Sequence, residues 1–256
     1  MSLRRSLALA GHELRQMRHE VGTLSTLVLL PLVMVAFLNP VFRATLQAQG
    51  ESAGGATIAV PGMAVLFSLF LIGHVGYLFF REHSFGTWER LRATPLSPGD
   101  VILGKSLPAV LLAVLQQLLL FGLGWWLFDL RLTGTAAALL AVVIALAACL
   151  VAWGVAAAAF LRNARRLNAL SGVMAMVLGG LGGSLTPVES LPAWAQRIAP
   201  LSPGYWAVGG YRSVVLDGAD LPDVAGAVGM LVIFAAVAAA LAAMRFRFEE
   251  TKVGFE

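Results

Sequence analysis

The feature that most constrains this chain is where its charges are missing. Between successive charged residues the sequence leaves six long apolar runs: 21–42, 52–80, 106–128, 132–161, 167–188 and 224–244. A helix crossing the hydrocarbon core of a bilayer needs about 20 apolar residues, and each run is long enough. Barrel strands would alternate in polarity over about 10 residues. These runs are continuous and rich in Leu, Ala and Val, so they predict helices. A seventh run, 198–211, is shorter and holds Pro200 and Pro203. It predicts a re-entrant or interfacial segment rather than a span.

Composition agrees. Hydrophobic types make up 59% of the chain and charged types 12%, with a mean hydropathy of +0.82. Soluble domains run about 45–50% apolar and about 25% charged. A disordered chain, a nucleic-acid-binding domain and an ordinary soluble enzyme are therefore excluded. The single cysteine, Cys149, leaves no internal disulfide and no cysteine-cluster metal site.

The few charges are sided. Of 18 Lys and Arg residues, only Arg43, Arg131, Arg197 and Arg212 fall on one set of loops. The rest sit in the N-terminal segment, in 81–105, in 162–166 and in the C-terminal tail. The positive-inside rule then predicts both termini in the cytoplasm and an even number of spans. The net charge of +4 concerns the inner membrane face, not nucleic acid. Residues 1–48 contain an apolar stretch longer than a signal-peptide core, so a retained first span is the better reading.

Three segments outside the spans stand out. Leu3, Leu7, Leu14, Met17 and Val21 fall within roughly 80° on a helical wheel, with Arg4, Arg5, His12, Arg15, Arg18 and His19 on another side. This predicts an amphipathic helix lying in the interface, basic face toward anionic headgroups; a plain basic leader is the simpler alternative. The loop 81–101 predicts a short helix with Phe85, Trp88 and Leu91 on one side. Glu82 and Glu89 share another face if Gly86 does not break the turn. Such a helix could receive a cytoplasmic partner, or could anchor Trp88 at the headgroups. The stretch 179–212 is rich in Gly, Pro and aromatics. Non-helical backbone at membrane depth must be buried in protein or line a cavity, so short helices sealing one end of a pathway are expected here.

Two motifs look chemical. Gly99-Asp-Val-Ile-Leu-Gly104-Lys105-Ser106 fits the phosphate-loop pattern, which works only between a buried strand and a helix N-terminus of an α/β domain. Here it opens a membrane span, so Lys105 is read as an interfacial anchor. Ser184 and His74 are a conceivable nucleophile–base pair of an intramembrane hydrolase, yet both residue types also serve helix packing. No mid-span carboxylate exists to relay protons. Gln116 and Gln117 could line a pathway or bridge helices, and bridging is the better reading. No catalytic residue and no metal site is assigned.

Two stretches carry a family resemblance. E82-HSFGTWERLRATPLSPGDVILGK-S106 resembles the coupling segment of ABC-2 type permeases, the membrane subunits of bacterial ATP-driven exporters such as the daunorubicin-resistance group. T186-PVESLPAWAQRIAPLSPGYWAVGGYR-S213 resembles their external hairpin after the fifth span, save that Ala199–Gly204 stands where the family more often has Asn-Pro-Leu-Thr-Tyr. The resemblance implies an all-α fold with an interfacial elbow helix over 1–22 and a six-helix transmembrane domain over 23–256. Its spans would lie at about 23–42, 58–80, 106–128, 134–161, 167–186 and 224–244, with a coupling segment 82–104 and an external hairpin 187–212. It implies export of a hydrophobic or amphipathic compound, with lipid-linked or carbohydrate cargo as the alternative. It implies a separate cytoplasmic ATPase in two copies, a second copy of this chain, surrounding lipid, and residence in the bacterial cytoplasmic membrane. ATP and Mg would be held by that partner and no cofactor by this chain. Glu82, Phe85, Trp88, Glu89 and Arg92 become candidates for ATPase coupling. Phe67, Phe70, Met174 and Leu178 become candidates for the pathway wall, and Pro187, Pro192, Trp194 and Tyr205 for the hairpin.

Overall fold

The structure, a computed structural model, describes residues 3–17, 21–48, 54–161 and 163–245. Helix dominates and no β-strand forms among the described residues. In chain order the helices are α1 (Leu3–Met17), α2 (Val21–Ala48), α3 (Ala56–Leu69), α4 (Leu71–Ser84), α5 (Trp88–Arg92) and α6 (Pro98–Phe128). There follow α7 (Ala136–Phe160), α8 (Ala164–Leu181), α9 (Ala193–Ile198), α10 (Pro203–Leu216) and α11 (Ala225–Arg245). Five stretches are long and apolar enough to cross a membrane: Ser25–Ala48, Ala56–Glu82, Pro98–Phe128, Ala136–Phe160 and Ala225–Arg245. The second of these joins α3 and α4 across a hitch at Phe70.

α8 takes the place of the remaining expected span, but it is shorter than the sequence suggests. Its first turn holds Arg165 and Arg166, and it stops at Leu181 rather than near 186. The reason is local. Gly183 takes a left-handed φ of +82°, which turns the chain out of the helix. Two other spans differ at their ends. α2 runs on to Ala48, past the expected end at 42, and tolerates Pro31 and Pro40 inside it. α6 begins at Pro98, well before 106, because Ser97 and Asp100 form a reciprocal capping box with Pro98 at the first helical position. The second half of the expected coupling segment is thus the first two turns of a span.

α7 is the central helix, in contact with α4, α6, α10 and α11. Val142, Val143, Leu146 and Leu150 on it are fully buried. Gly154 lets α4 approach α7, for a Cβ there would lie 2.6 Å from the Val75 side chain. α1 packs along the start of α6, while α3 contacts α2, α6, α8 and α10. The helices define two ends of the bundle. The basic end carries α1, the α4–α6 connection, the start of α8 and the end of α11. The opposite end carries the α2–α3 and α6–α7 connections, the segment 182–202 and the end of α10.

α1 adds a protein-facing row to the amphipathic pattern expected of it. Its buried side is formed by Ser6, Ala10 and Glu13, whereas Leu7 and Leu14 are exposed. The leucines that predicted the apolar stripe lie beside the protein-facing row rather than in it, where they can meet acyl chains. The small residues let the helix approach α6, and Glu13 enters for a reason given below.

Candidate functional site

At the basic end, four charged side chains from three helices meet out of solvent. Glu13 of α1 is 1% exposed and Lys105 of α6 is fully buried. Glu13 accepts from Arg81 of α4 through Oε2 (2.5 Å) and from Lys105 through Oε1 (2.5 Å). Lys105 also donates to Glu82 (3.0 Å) and to the Leu78 carbonyl (3.1 Å). Arg81 adds a bond to Gln16 (2.6 Å). A buried charge is costly unless it is paired and hydrogen-bonded. Here two carboxylates face two cations, so the group is neutral and closed. A smaller polar contact two turns back along α1, Ser6 to Asp100 (3.2 Å), ties α1 to the α6 cap. Arg5 donates to the Pro95 carbonyl in the connecting loop.

The phosphate-loop match finds its explanation in this clamp. Residues 99–106 are all helical, so no phosphate cradle exists. Gly104 gives α1 room, since a Cβ there would lie 2.7 Å from the Leu9 side chain. Lys105 is one of the two cations of the clamp rather than an interfacial anchor. Glu13 was legible only as one acidic residue in a basic helix. Its signal was its row with Ser6 and Ala10, the least apolar side to bury.

The coupling candidates separate. Gly86 takes φ +65° and ends α4, so Glu82 and Glu89 do not share a face. Glu82 turns inward to Lys105 and to the Thr87 hydroxyl. Trp88 is 4% exposed and packs inside the chain, which excludes a headgroup anchor. Phe85 is 72% exposed, and Glu89 and Arg90 are exposed too. Arg92 closes α5, but its side chain lies outside the described residues. An outward turn, Phe85–Arg90, therefore sits on an inward clamp.

The wall candidates fall on two sides of one seam. α8 packs on α3 and α4 through small residues. A Cβ on Gly62 would lie 2.2 Å from the Ser184 carbonyl oxygen, and one on Gly73 would lie 3.0 Å from Ser171 Cβ. Met174 and Leu178 line a cavity of about 400 Å³ with Ile72 and Trp153. Phe67 and Phe70, whose rings are 5.9 Å apart, continue along the helix as His74 and Tyr77. The helical period carries this half-buried row to the other side of the seam. The seam also disposes of the hydrolase pair. Ser184 sits beside Gly62, while His74 is three turns further along the span, about 18 Å away. Both glutamines bridge helices: Gln116 donates to the Leu27 carbonyl of α2 (3.2 Å), and Gln117 bonds Tyr211 of α10.

At the opposite end the hairpin is built on caps. Pro187 precedes a short 3₁₀ turn and Pro192 precedes α9. The Ser-Pro-Gly departure from the family pattern is a helix start: Ser202 accepts from the Gly204 amide (3.0 Å), Pro203 opens α10, and the Ser202 hydroxyl donates to the Leu178 carbonyl (2.8 Å). Trp194 is exposed. Tyr205 meets Trp206 edge to face at 5.4 Å, and Glu189 lies 3.6 Å from Arg212.

A polytopic helix bundle, a buried clamp behind an outward turn, and a capped hairpin after a shortened span together describe a multi-pass membrane protein. Residues 6–216 match the family model described as ABC-2 type transporter, and the chain belongs to that family. It is 28% identical over 210 residues to the linearmycin resistance permease protein LnrN of Bacillus subtilis, covering 80% of this chain and 54% of that protein. It is 24% identical over 169 residues to a protein named "Probable multidrug ABC transporter permease YbhR" from Escherichia coli K12, covering 65% of this chain and 45% of that protein. The chain spans about half the length of the curated relatives it matches.

Proposed function

We propose that this chain is the membrane-spanning subunit of an ATP-binding-cassette exporter that moves a hydrophobic or amphipathic compound outward. In this reading it lies in the bacterial cytoplasmic membrane with its basic end and both termini in the cytoplasm. The sidedness of its Lys and Arg residues supports that orientation. A separate ATPase, present in two copies, binds the turn Phe85–Arg90 and supplies the ATP and Mg chemistry. A second copy of the chain faces the first across the Phe67–Phe70–His74–Tyr77 row and completes the pathway. The names of the relatives, one a linearmycin resistance permease protein and one a probable multidrug ABC transporter permease, support the permease role.

The observation that carries the reading is the clamp behind the turn. Glu82, Arg81 and Lys105 join the end of α4 to the start of α6, and Glu13 joins both to α1. A push on the turn therefore reaches two spans through buried ion pairs rather than through a loop. The test is Phe85→Asp combined with Glu89→Arg in cells carrying the whole transporter. Both positions are exposed, so membrane abundance stays at the wild-type level. Transport falls at least tenfold, and the ATPase no longer co-purifies. Normal transport by the double variant removes the docking role.

A further inference from the structure

The cavity of about 400 Å³ beside the α8 seam lies between three helices. Its walls come from Trp153 and Phe160 on α7, Leu170, Met174 and Leu178 on α8, and Phe234 and Leu241 on α11. These walls are almost wholly apolar. Leu170, Met174 and Leu178 are spaced four apart, so they form one row on α8. One turn before Leu170 in that row stands Arg166, which is exposed. One turn beyond Leu241 on α11 stands Arg245, the last residue of that helix. Each of these two lining rows is thus followed, one turn toward the basic end, by an arginine. No acidic residue lies in the first turn of α8.

The dimensions suit one class of ligand. From Arg166 to Leu178 is twelve residues, about 18 Å along the helix axis. Half of a hydrocarbon core is about 15 Å. A molecule with an apolar tail of one leaflet's depth and an anionic head would bury its tail against the groove and place its head between two guanidinium groups, which bind phosphate in a planar fork.

We propose that this groove holds an anionic phospholipid of the leaflet at the basic end, acyl chain along α8 and phosphate between Arg166 and Arg245. The occupant would be a structural lipid wedged between α8 and the α7–α11 pair, on the opposite side of the seam from the aromatic row given to the pathway. The proposal takes only the membrane setting from the exporter reading. Its test needs neither cargo nor ATPase, so failure of one is distinguishable from failure of the other.

The experiment is native mass spectrometry of the full chain in detergent, titrated with phosphatidylglycerol and, separately, with phosphatidylethanolamine. The wild type is expected to retain phosphatidylglycerol in preference. Arg166→Gln with Arg245→Gln weakens phosphatidylglycerol binding by about tenfold or more, since each arginine near an anionic head matters at that scale, and leaves phosphatidylethanolamine binding unchanged. Ala157→Trp, which fills the groove and keeps both arginines, reduces retention of both lipids. Equal retention of phosphatidylglycerol by the arginine variant overturns the proposal. So does a shift of Ala157→Trp from dimer to monomer with no change in lipid retention, which would make a second copy the occupant.

Discussion

The two ends of this bundle are held together by different physics. At the basic end, helices meet through charge: Glu13, Arg81, Lys105 and Glu82 form a neutral, largely buried cluster. At the opposite end, helices meet through the absence of side chains. Gly62 lies against the Ser184 carbonyl, Gly182 against the Gly204 backbone, and Gly134 against the Ala219 carbonyl. Charge contacts are strong at distance and tolerate small displacements, so helices joined by them can move as a unit. Backbone contacts at glycine are steep in distance and tolerate almost none. The basic end is therefore the more deformable of the two, and the opposite end the more rigidly packed.

The largest effect belongs to the charged end. Glu13→Leu removes one carboxylate from between two cations, taking its ion pair from Arg81 and leaving the fully buried Lys105 with Glu82 alone, so the cluster carries an excess positive charge. Stranding a buried charge costs about 3–5 kcal/mol. Thermal unfolding of the detergent-solubilised protein should fall accordingly, with reduced membrane abundance. Glu13→Leu combined with Lys105→Met, which restores neutrality by leaving one cation and one carboxylate, should recover a large part of the loss. If the double variant is no better than the single one, the cluster does not act as a charge-balanced unit.

At the close-packed end the expected effect is smaller. Gly62→Ala sets a methyl group 2.2 Å from the Ser184 carbonyl oxygen, which is backbone and cannot swing aside. Overpacking of this kind costs about 1–3 kcal/mol. Gly226→Ala on α11 is the matched control, because a Cβ there meets nothing within 4 Å. That change exchanges a glycine for alanine in a helix and should stabilise by about 0.5–1 kcal/mol. Opposite signs from the same substitution in one chain are the signature sought in unfolding temperatures. A destabilised Gly226→Ala would mean that α11 is covered there by something outside this chain.

How far the sequence foretold these two ends differs for the same reason. Spans were legible because apolar length is a property of contiguous residues, and five of the expected six appear at nearly the predicted places. Boundaries were less so. Ser97 and Asp100 are a capping box three residues apart, yet the apolar run places the start of the span only at 106. Gly86 was recognised as the residue that decides whether Glu82 and Glu89 share a face, but its sign of φ is set by packing and is not written locally. The clamp was the hardest to see. Glu13, Arg81 and Lys105 lie in three separate segments, and each alone resembles an ordinary interfacial charge. The glycine contacts were hidden likewise, since a glycine in an apolar run does not name the helix it will touch.

The smallest expected effect concerns the junction where α8 hands over to α10. Ser202 caps α10 by accepting from the Gly204 amide, and its hydroxyl donates to the Leu178 carbonyl near the end of α8. One side chain thus satisfies a donor at one helix start and an acceptor at another helix end. Ser202→Ala removes both bonds, and loss of an N-cap costs about 1 kcal/mol. For a domain of this size that corresponds to about 2–4 °C in unfolding temperature. Ser202→Thr keeps the hydroxyl and should lie near the wild type. If Ser202→Thr falls as far as Ser202→Ala, tight space around the junction rather than the shared cap holds α8 to α10. The hairpin would then obey the same steric rule as Gly62.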